Sequence, residues 1–164
     1  MCLTLGQMPA RILNTLKICP ATLAVLVLAL SPPSFAALGG DLSSVKQDQT
    51  RLKAKLQVSP GDRYSVHEMK AATGTTVREF ATADGKVFGV AWEGPWRPDL
   101  RQLLGPYFSD FQEAAKSKRT GHNGPLASAT QRLVIEMSGR PRAFYGRAYV
   151  PDLVPSGVEP AEVR

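Results

Sequence analysis

The sequence predicts an α+β domain with an N-terminal helix, a roughly five-stranded antiparallel sheet, and one or two helices inserted between strands three and four. Three patterns predict this fold. Helical periodicity comes first, at residues 41–58. Short strand-like runs then alternate with glycine-containing turns between residues 63 and 93. A leucine-rich segment separates these runs from two more that follow residue 128.

The first helix is predicted over residues 41–58. Asp41 suits an N-cap because its carboxylate can accept hydrogen bonds from the free N–H groups of the first helical turn. Once Gln49 is admitted to the stripe, apolar residues recur at spacings of three and four, namely Leu42, Val45, Leu52 and Leu56. We expect this stripe to lie on the sheet; the alternative is a helix that binds a partner.

Three strands are predicted next, over residues 63–70, 75–82 and 86–93. Between the last two, Ala83-Asp84-Gly85 is a hairpin sequence, because Asp and Gly tolerate the backbone angles of tight turns. The apolar residues of 86–93 do not alternate with polar ones, which predicts a central strand that is covered on both faces.

Two helical segments and two further strands complete the predicted fold. Pro98 and Asp99 suit the first turn of a helix, and Gly105-Pro106 ends it before a second helix begins. The last two strands are predicted over 128–139 and 142–150, where apolar and polar residues alternate.

The N-terminus has the composition of an export signal. Arg11 and Lys17 give a basic start, and an apolar run at 18–30 has the length of a signal core but is too short to span a bilayer. Ser34 and Ala36 supply the small residues that a signal peptidase reads, so we expect cleavage after Ala36.

These features divide the chain into a cleaved signal peptide (1–36), a single α+β domain (37–155) and a loose C-terminal tail (156–164). We expect the tail to lie along the surface or to stay loose. Both cysteines, Cys2 and Cys19, lie in the predicted signal, so the mature chain would have no thiol for a disulfide or a metal site. We therefore expect a periplasmic or secreted protein that is held together by packing alone.

The net charge of the whole chain is +6, and removal of the two basic residues of the signal would leave about +4. This modest excess favours weak attraction to anionic surfaces and does not require nucleic acid. No second apolar segment reaches spanning length, so we expect membrane contact only through the signal peptide or weak peripheral contact.

Two long segments resemble a known family. They are GTTVREFATADGKVFGVAWEGPWRPDLRQLLGPYF at 74–108 and GRPRAFYGRAYVPDLVP at 139–155, and the Ala37-Leu38-Gly39-Gly40 start is similar too. The chain resembles a family of small exported Gram-negative bacterial proteins known as domain of unknown function 2844. The resemblance implies export and one shared domain, and it transfers no activity, cofactor or site residue.

Metal and phosphate sites are not predicted. His67 and Glu68 are adjacent on a strand and point to opposite faces, so they cannot chelate one ion, and we expect His67 to be an exposed strand residue. His122 is the only other histidine. Gly85-Lys86 lacks the further glycine and the Ser or Thr of a phosphate loop. We predict no cofactor.

An enzyme is not the favoured class. Ser65 and His67 share a strand face, but the chain has no GxSxG motif. Paired carboxylates are the remaining option, since glycosidases use two acids. The candidate pairs are Glu68 with Glu79, and Glu93 with Asp99. Acids occur on most sheets, so these pairs are a weak signal.

Aromatic residues beside arginines are the better candidates for recognition. Trp92 is expected in the core, whereas Trp96 follows Gly94-Pro95 in a turning segment and has Arg97 beside it. A second candidate surface is one face of the last strand, which carries Tyr145, Arg147 and Tyr149. The alternative for Trp96 is a ring that caps the end of the core.

The last strand mixes arginine with aromatic residues, as strands that stack nucleic-acid bases do, but it does not match the RNA-recognition pattern. We therefore expect a non-enzymatic exported domain that binds another envelope or secreted protein. The alternatives are a ligand-binding module for a sugar or acidic polymer, and an unrecognised hydrolase.

Overall fold

The computed structural model describes residues 38–117 and 125–164. The predicted signal peptide and residues 118–124, which include His122, lie outside this description. The described helices are α1 (Leu42–Leu52), α2 (Leu100–Leu104) and α3 (Phe108–Ser117). The described strands are β1 (Lys55–Pro60), β2 (Tyr64–Lys70), β3 (Thr76–Thr82), β4 (Val87–Gly94), β5 (Leu126–Ala129), β6 (Val134–Arg140) and β7 (Ala143–Tyr149). Short 3₁₀ helices occupy Gly105–Tyr107, Pro151–Leu153 and Pro160–Glu162.

All strand pairings in the described ranges are antiparallel, in one sheet of order β1-β2-β3-β4-β7-β6-β5. The α+β class is therefore confirmed, but the sheet has seven strands there rather than five, and the inserted helices follow the fourth strand rather than the third. The predicted central strand is confirmed as β4, whose residues Val87 to Trp92 are all buried.

The predicted helix over 41–58 is too long. Asp41 is the N-cap, and its carboxylate accepts a hydrogen bond from the Ser43 N–H at 2.9 Å. The helix ends at Leu52 because Lys53 adopts a left-handed backbone with φ of 47° and closes the last turn. The following residues pair with β2 as a new edge strand, so Leu56 belongs to the sheet and not to the helical stripe.

The strand predicted over 128–139 is in fact two strands, β5 and β6. A turn separates them, in which the Thr130 N–H and hydroxyl bond to the Leu133 carbonyl at 2.9 and 3.0 Å. The Thr130 hydroxyl also accepts from the Leu133 N–H at 2.9 Å. A threonine that closes its own turn in this way competes with the ladder bonds that would have continued one strand.

The helices cover one face of the sheet and enclose the larger core. Its buried members include Val45 from α1, Leu103 and Leu104 from α2, and the β4 residues Val90 and Trp92. Trp92 is only 2 % exposed, which confirms its predicted place in the core. Leu38 is fully buried here and ties the start of the described chain to α2 through its N–H bond to the Leu103 carbonyl.

The C-terminal residues 156–164 cover part of the opposite face of the sheet. Val163 is fully buried and Val158 is 8 % exposed, and both pack into a second core with Phe80, Phe88 and Ala91. The tail has few apolar residues, but they lie on an aromatic surface of β3 and β4 that the helices do not cover. Burial of the tail residues and of this aromatic surface stabilises the contact.

Polar contacts fix the tail at both ends of this surface. The Arg63 guanidinium donates to the Ser156 carbonyl at 2.7 Å, and the Tyr64 hydroxyl donates to the Glu162 carboxylate at 2.8 Å. Among the described residues, no helix is long and apolar enough to cross a membrane.

Candidate functional site

A rigid corner at the end of β4 positions Trp96. Gly94 has a φ of +152°, a backbone conformation that side chains disfavour, and a Cβ there would clash with the backbone of Thr75. The Thr75 hydroxyl donates to the Trp96 carbonyl at 2.9 Å and holds the corner against the start of β3. The backbone of Trp96 is thus fixed, while its side chain is 63 % exposed.

Arg97 links this corner to the last strand. Its guanidinium carbon lies 4.8 Å from the centre of the Phe144 ring, within the range of a cation–π contact. The sheet register brings the neighbours together, because Gly94 pairs with Phe144 and Glu93 pairs with Tyr145. We call Trp96, Arg97, Phe144 and Tyr145 the aromatic end of the sheet.

A shallow hollow of about 730 Å³ opens beside these residues. Phe144 and Tyr145 line it together with the end of β6, including Ser138 and Arg140. Tyr145 is 58 % exposed, and it also lines a second hollow toward β5. Two large aromatic side chains are therefore exposed at one end of the sheet, one of them in a concave surface, an arrangement that suits binding.

The second predicted surface, Tyr145, Arg147 and Tyr149, does not form one exposed patch. Arg147 donates to the Glu136 carboxylate at 3.0 Å and to the Pro160 carbonyl at 3.2 Å, so its guanidinium anchors the C-terminal residues. Tyr149 is half-buried and packs against the second core. Of the three predicted residues on that strand face, only Tyr145 is exposed, because the C-terminal residues contact Arg147 and Tyr149.

A buried polar cluster lies under the helices. Asp48 on α1 is 1 % exposed, Glu79 on β3 is fully buried, and the side-chain amide of Gln102 on α2 donates a hydrogen bond to Asp48. The two carboxyl groups lie close enough to affect each other's pKa, and neither Glu79 oxygen has a hydrogen-bond partner among the described residues. Because two buried carboxylates repel each other, this arrangement favours a proton on one of them.

Burial identifies Glu79 as the protonated partner. Loss of hydration raises the pKa of Glu79 well above its usual value of 4.5, and the adjacent Asp48 charge raises it further. Burial also raises the pKa of Asp48, but the hydrogen bond from Gln102 opposes this shift. Glu79 is therefore the carboxyl group that keeps its proton to higher pH, beside an Asp48 carboxyl that accepts from Gln102.

The acids named as possible catalytic pairs have structural contacts instead. Glu68 and Glu79 point to opposite faces, because Glu68 pairs with Arg78 in the register. Arg78 forms ion pairs of 2.8 Å with both Glu68 and Glu93. Asp99 caps α2 by accepting the Arg101 N–H at 2.9 Å, one position before the first turn that we predicted for it.

His67 is 8 % exposed, so the expectation of an exposed strand residue is wrong. It faces the helices, and burial lowers its pKa. Its Nε2 lies 3.0 Å from the Ser65 hydroxyl, which matches their predicted shared face. Neither Glu79 oxygen bonds to the ring, so the three side chains do not form a relay.

Metal-binding side chains do not cluster in the described part of the chain, where no group of three or more His, Cys, Asp or Glu could hold an ion. Of the five predicted partner-binding residues, Trp96, Arg97 and Tyr145 are exposed, and all three lie at the aromatic end.

The family model described as protein of unknown function (DUF2844) matches residues 34–163. The chain belongs to this family. No curated protein and no solved structure matches the chain. The matched range includes the aromatic end, the buried cluster and the C-terminal residues, so all three lie within the domain that defines the family.

Sequence reasoning missed Asp48 and the burial of Glu79, although a local signal exists for each. Asp48 lies three residues after Val45 and four before Leu52, so it interrupts the apolar stripe of α1. Glu79 alternates with Val77 and Ala81 on the inward face of β3. These patterns predict that each acid is buried. That the two acids lie close together depends on how α1 packs on β3, which the local patterns do not determine.

Proposed function

We propose that this protein is an exported, non-enzymatic domain that binds another envelope or secreted protein through the aromatic end. The observation that carries the proposal is the exposure of Trp96 and Tyr145 at the same end of the sheet, where Arg97 also contacts Phe144. Tryptophan, tyrosine and arginine are the residue types that dominate binding energy at protein interfaces. Export is inferred from the sequence of residues 1–36.

The rigidity of the corner supports a binding role. The Thr75 hydroxyl and the Arg97–Phe144 contact hold the backbone around Trp96 in place. A backbone that is already fixed loses less conformational entropy when a partner binds. An exposed tryptophan on a fixed backbone is therefore suited to act as an anchor.

Cross-linking in the native cell, followed by mass spectrometry, tests the proposal. The variants are Trp96→Ala and Tyr145→Ala. Val58→Ala is the matched control, because Val58 is 48 % exposed on the opposite edge strand. We expect a discrete adduct with the wild type and the control, and its loss in both aromatic variants. Equal adducts in all four proteins would reject the aromatic end as the interface.

A ligand-binding module for a sugar or an acidic polymer is the second candidate, favoured by the hollow of about 730 Å³ beside Tyr145. Such a ligand would change the fluorescence of Trp96, while Trp92 stays buried and constant. An unrecognised hydrolase has less support, because Arg78 pairs with Glu68 and Glu93. If Glu68→Gln or Glu93→Gln abolished turnover without unfolding the protein, the hydrolase would replace the binding role.

A further inference from the structure

Two arginines at the tip of the β6–β7 hairpin are the starting point. Arg140 and Arg142 flank Pro141, and both are exposed. Neither forms an ion pair with any residue of the ranges 38–117 and 125–164. Arg140 also lines the hollow next to Phe144 and Tyr145. The tip therefore adds two free positive charges to the border of the aromatic end.

The backbone at this tip does not suit arginine. Arg142 has a φ of 68°, in the left-handed region where glycine or asparagine is usual. A proline followed by such a residue is the arrangement of a type II turn, which favours glycine at the second central position. The chain has an arginine at this position instead. Backbone strain of this kind is common at functional sites, so we considered what Arg142 could bind.

The nearby carboxylates of Glu93 and Asp99 already have partners within the protein. Among the described residues, Glu93 is the only acid that lines the hollow, and one of its oxygens is paired with Arg78 at 2.8 Å. Asp99, beyond Arg97, accepts two backbone N–H groups of α2. The three guanidinium groups around the aromatic end are thus left to attract an external anion.

We infer that the aromatic end binds an acidic, extended segment of the partner protein, and this inference rests on the proposed function. Carboxylates of the segment pair with Arg140 and Arg142, while its apolar side chains lie on Tyr145, which shares a sheet face with Arg140 through the pairing of β6 with β7. A sugar is a poorer fit, because among the described residues Ser138 is the only uncharged polar side chain, apart from Tyr145, that lines the hollow.

The test titrates the mature protein into a dye-labelled short peptide of alternating glutamate and leucine, with fluorescence anisotropy as the readout. We expect saturable binding that weakens as salt rises, and binding at least about 10-fold weaker for the same peptide with glutamine in place of glutamate. The double variant Arg140→Gln/Arg142→Gln should bind the glutamate peptide about 10- to 100-fold more weakly.

The matched control is Lys53→Gln/Lys55→Gln, which removes the same charge near the far edge strand β1 and should leave affinity within about 3-fold of wild type. Equal affinity in the two double variants would overturn the inference. So would saturable binding of polygalacturonate or anionic vesicles without binding of the glutamate peptide, because the anion would then not be a polypeptide.

The in-cell adduct separates this inference from the proposed function. If Trp96→Ala removes the adduct but Arg140→Gln/Arg142→Gln does not, the acidic partner is rejected while the interface stands. If no adduct depends on Trp96, both are rejected. Arg142→Gly adds a second readout: the glycine should raise the midpoint of thermal unfolding and still weaken peptide binding, because it relieves the turn and removes the charge.

Discussion

At the scale of single residues, the protonated Glu79 makes the clearest prediction. The folded protein holds this proton more tightly than the unfolded chain does, because burial raises the pKa of Glu79. The folded state therefore binds more protons above the usual carboxyl pKa of 4.5. By linkage, the contribution of Glu79 to the free energy of unfolding falls as the pH rises from about 4.5 toward the raised pKa.

Glu79→Gln should remove this loss, because the amide of the glutamine can donate to Asp48 without a titratable proton. We expect the variant to gain stability over the wild type as the pH rises from 5 to 8, by at most about 1.4 kcal/mol per pH unit. Urea unfolding at several pH values measures this difference. Glu113→Gln, at an exposed position of α3, is the control and should leave the slope unchanged.

A parallel pH dependence of wild type and Glu79→Gln would show that Glu79 does not carry the proton. The comparison with the variant is needed because other acids act in the opposite direction. A hydrogen bond from the Glu159 N–H and one from Tyr64 lower the pKa of Glu162, for example, and so add stability that is lost in acid.

At the scale of elements, the C-terminal residues act as a strap over the second core. Val163→Ala removes two methyl groups from a fully buried position and should lower the free energy of unfolding by about 2 kcal/mol. The same substitution at Val58, which is 48 % exposed on β1, should cost less than about 0.5 kcal/mol. Chemical denaturation measures both, and equal small effects would mean that the strap contributes little stability.

The elements also show how far sequence alone reaches. Strands β2, β3, β4 and β7 each lie within a residue or two of their predicted bounds, because a turn sequence flanks each run. β1 was missed because Leu52 and Leu56 keep the helical spacing across the point where Lys53 turns left-handed. A continued helix and a new strand give the same local spacing of leucines here. Only the pairing of residues 55–60 with β2 distinguishes the strand from the helix.

The candidate site was predictable only in part, for a similar reason. Exposure of Trp96 follows from its place in a glycine–proline corner, which the sequence displays. The meeting of Arg97 with Phe144 depends on the pairing of β4 with β7, which local patterns do not determine. Likewise, Tyr149 was assigned to an exposed face because nothing local indicates that Val163 returns to cover the second core.

At the scale of the whole molecule, the predicted signal peptide can be tested against the folded start of the chain. Leu38 is fully buried, and the N–H of Gly39 bonds to the Val87 carbonyl at 2.7 Å. We expect protein isolated from its native cell to begin at Ala37, since a cut further along would remove a core residue. Intact-mass spectrometry gives the first residue directly.

Ala36→Glu should leave the precursor uncut, because signal peptidase requires a small residue at that position. Leu30→Val, within the apolar run, is the control and should be processed normally. Cleavage at an unrelated position, or a native protein that keeps residues 1–36, would contradict both the predicted signal and the predicted location.

The order of the sheet has a consequence for how the chain reaches its native state. β4 is the most buried strand, yet one of its two neighbours is β7, and Gly89 pairs with Tyr149 far along the sequence. During synthesis β1 to β4 can form a local meander, but one edge of β4 stays unpaired until β7 has been made. Long-range pairing is slow, and an apolar open edge invites other chains to add to it. The interval before β7 arrives is therefore when this protein is most prone to aggregate and has most need of a chaperone.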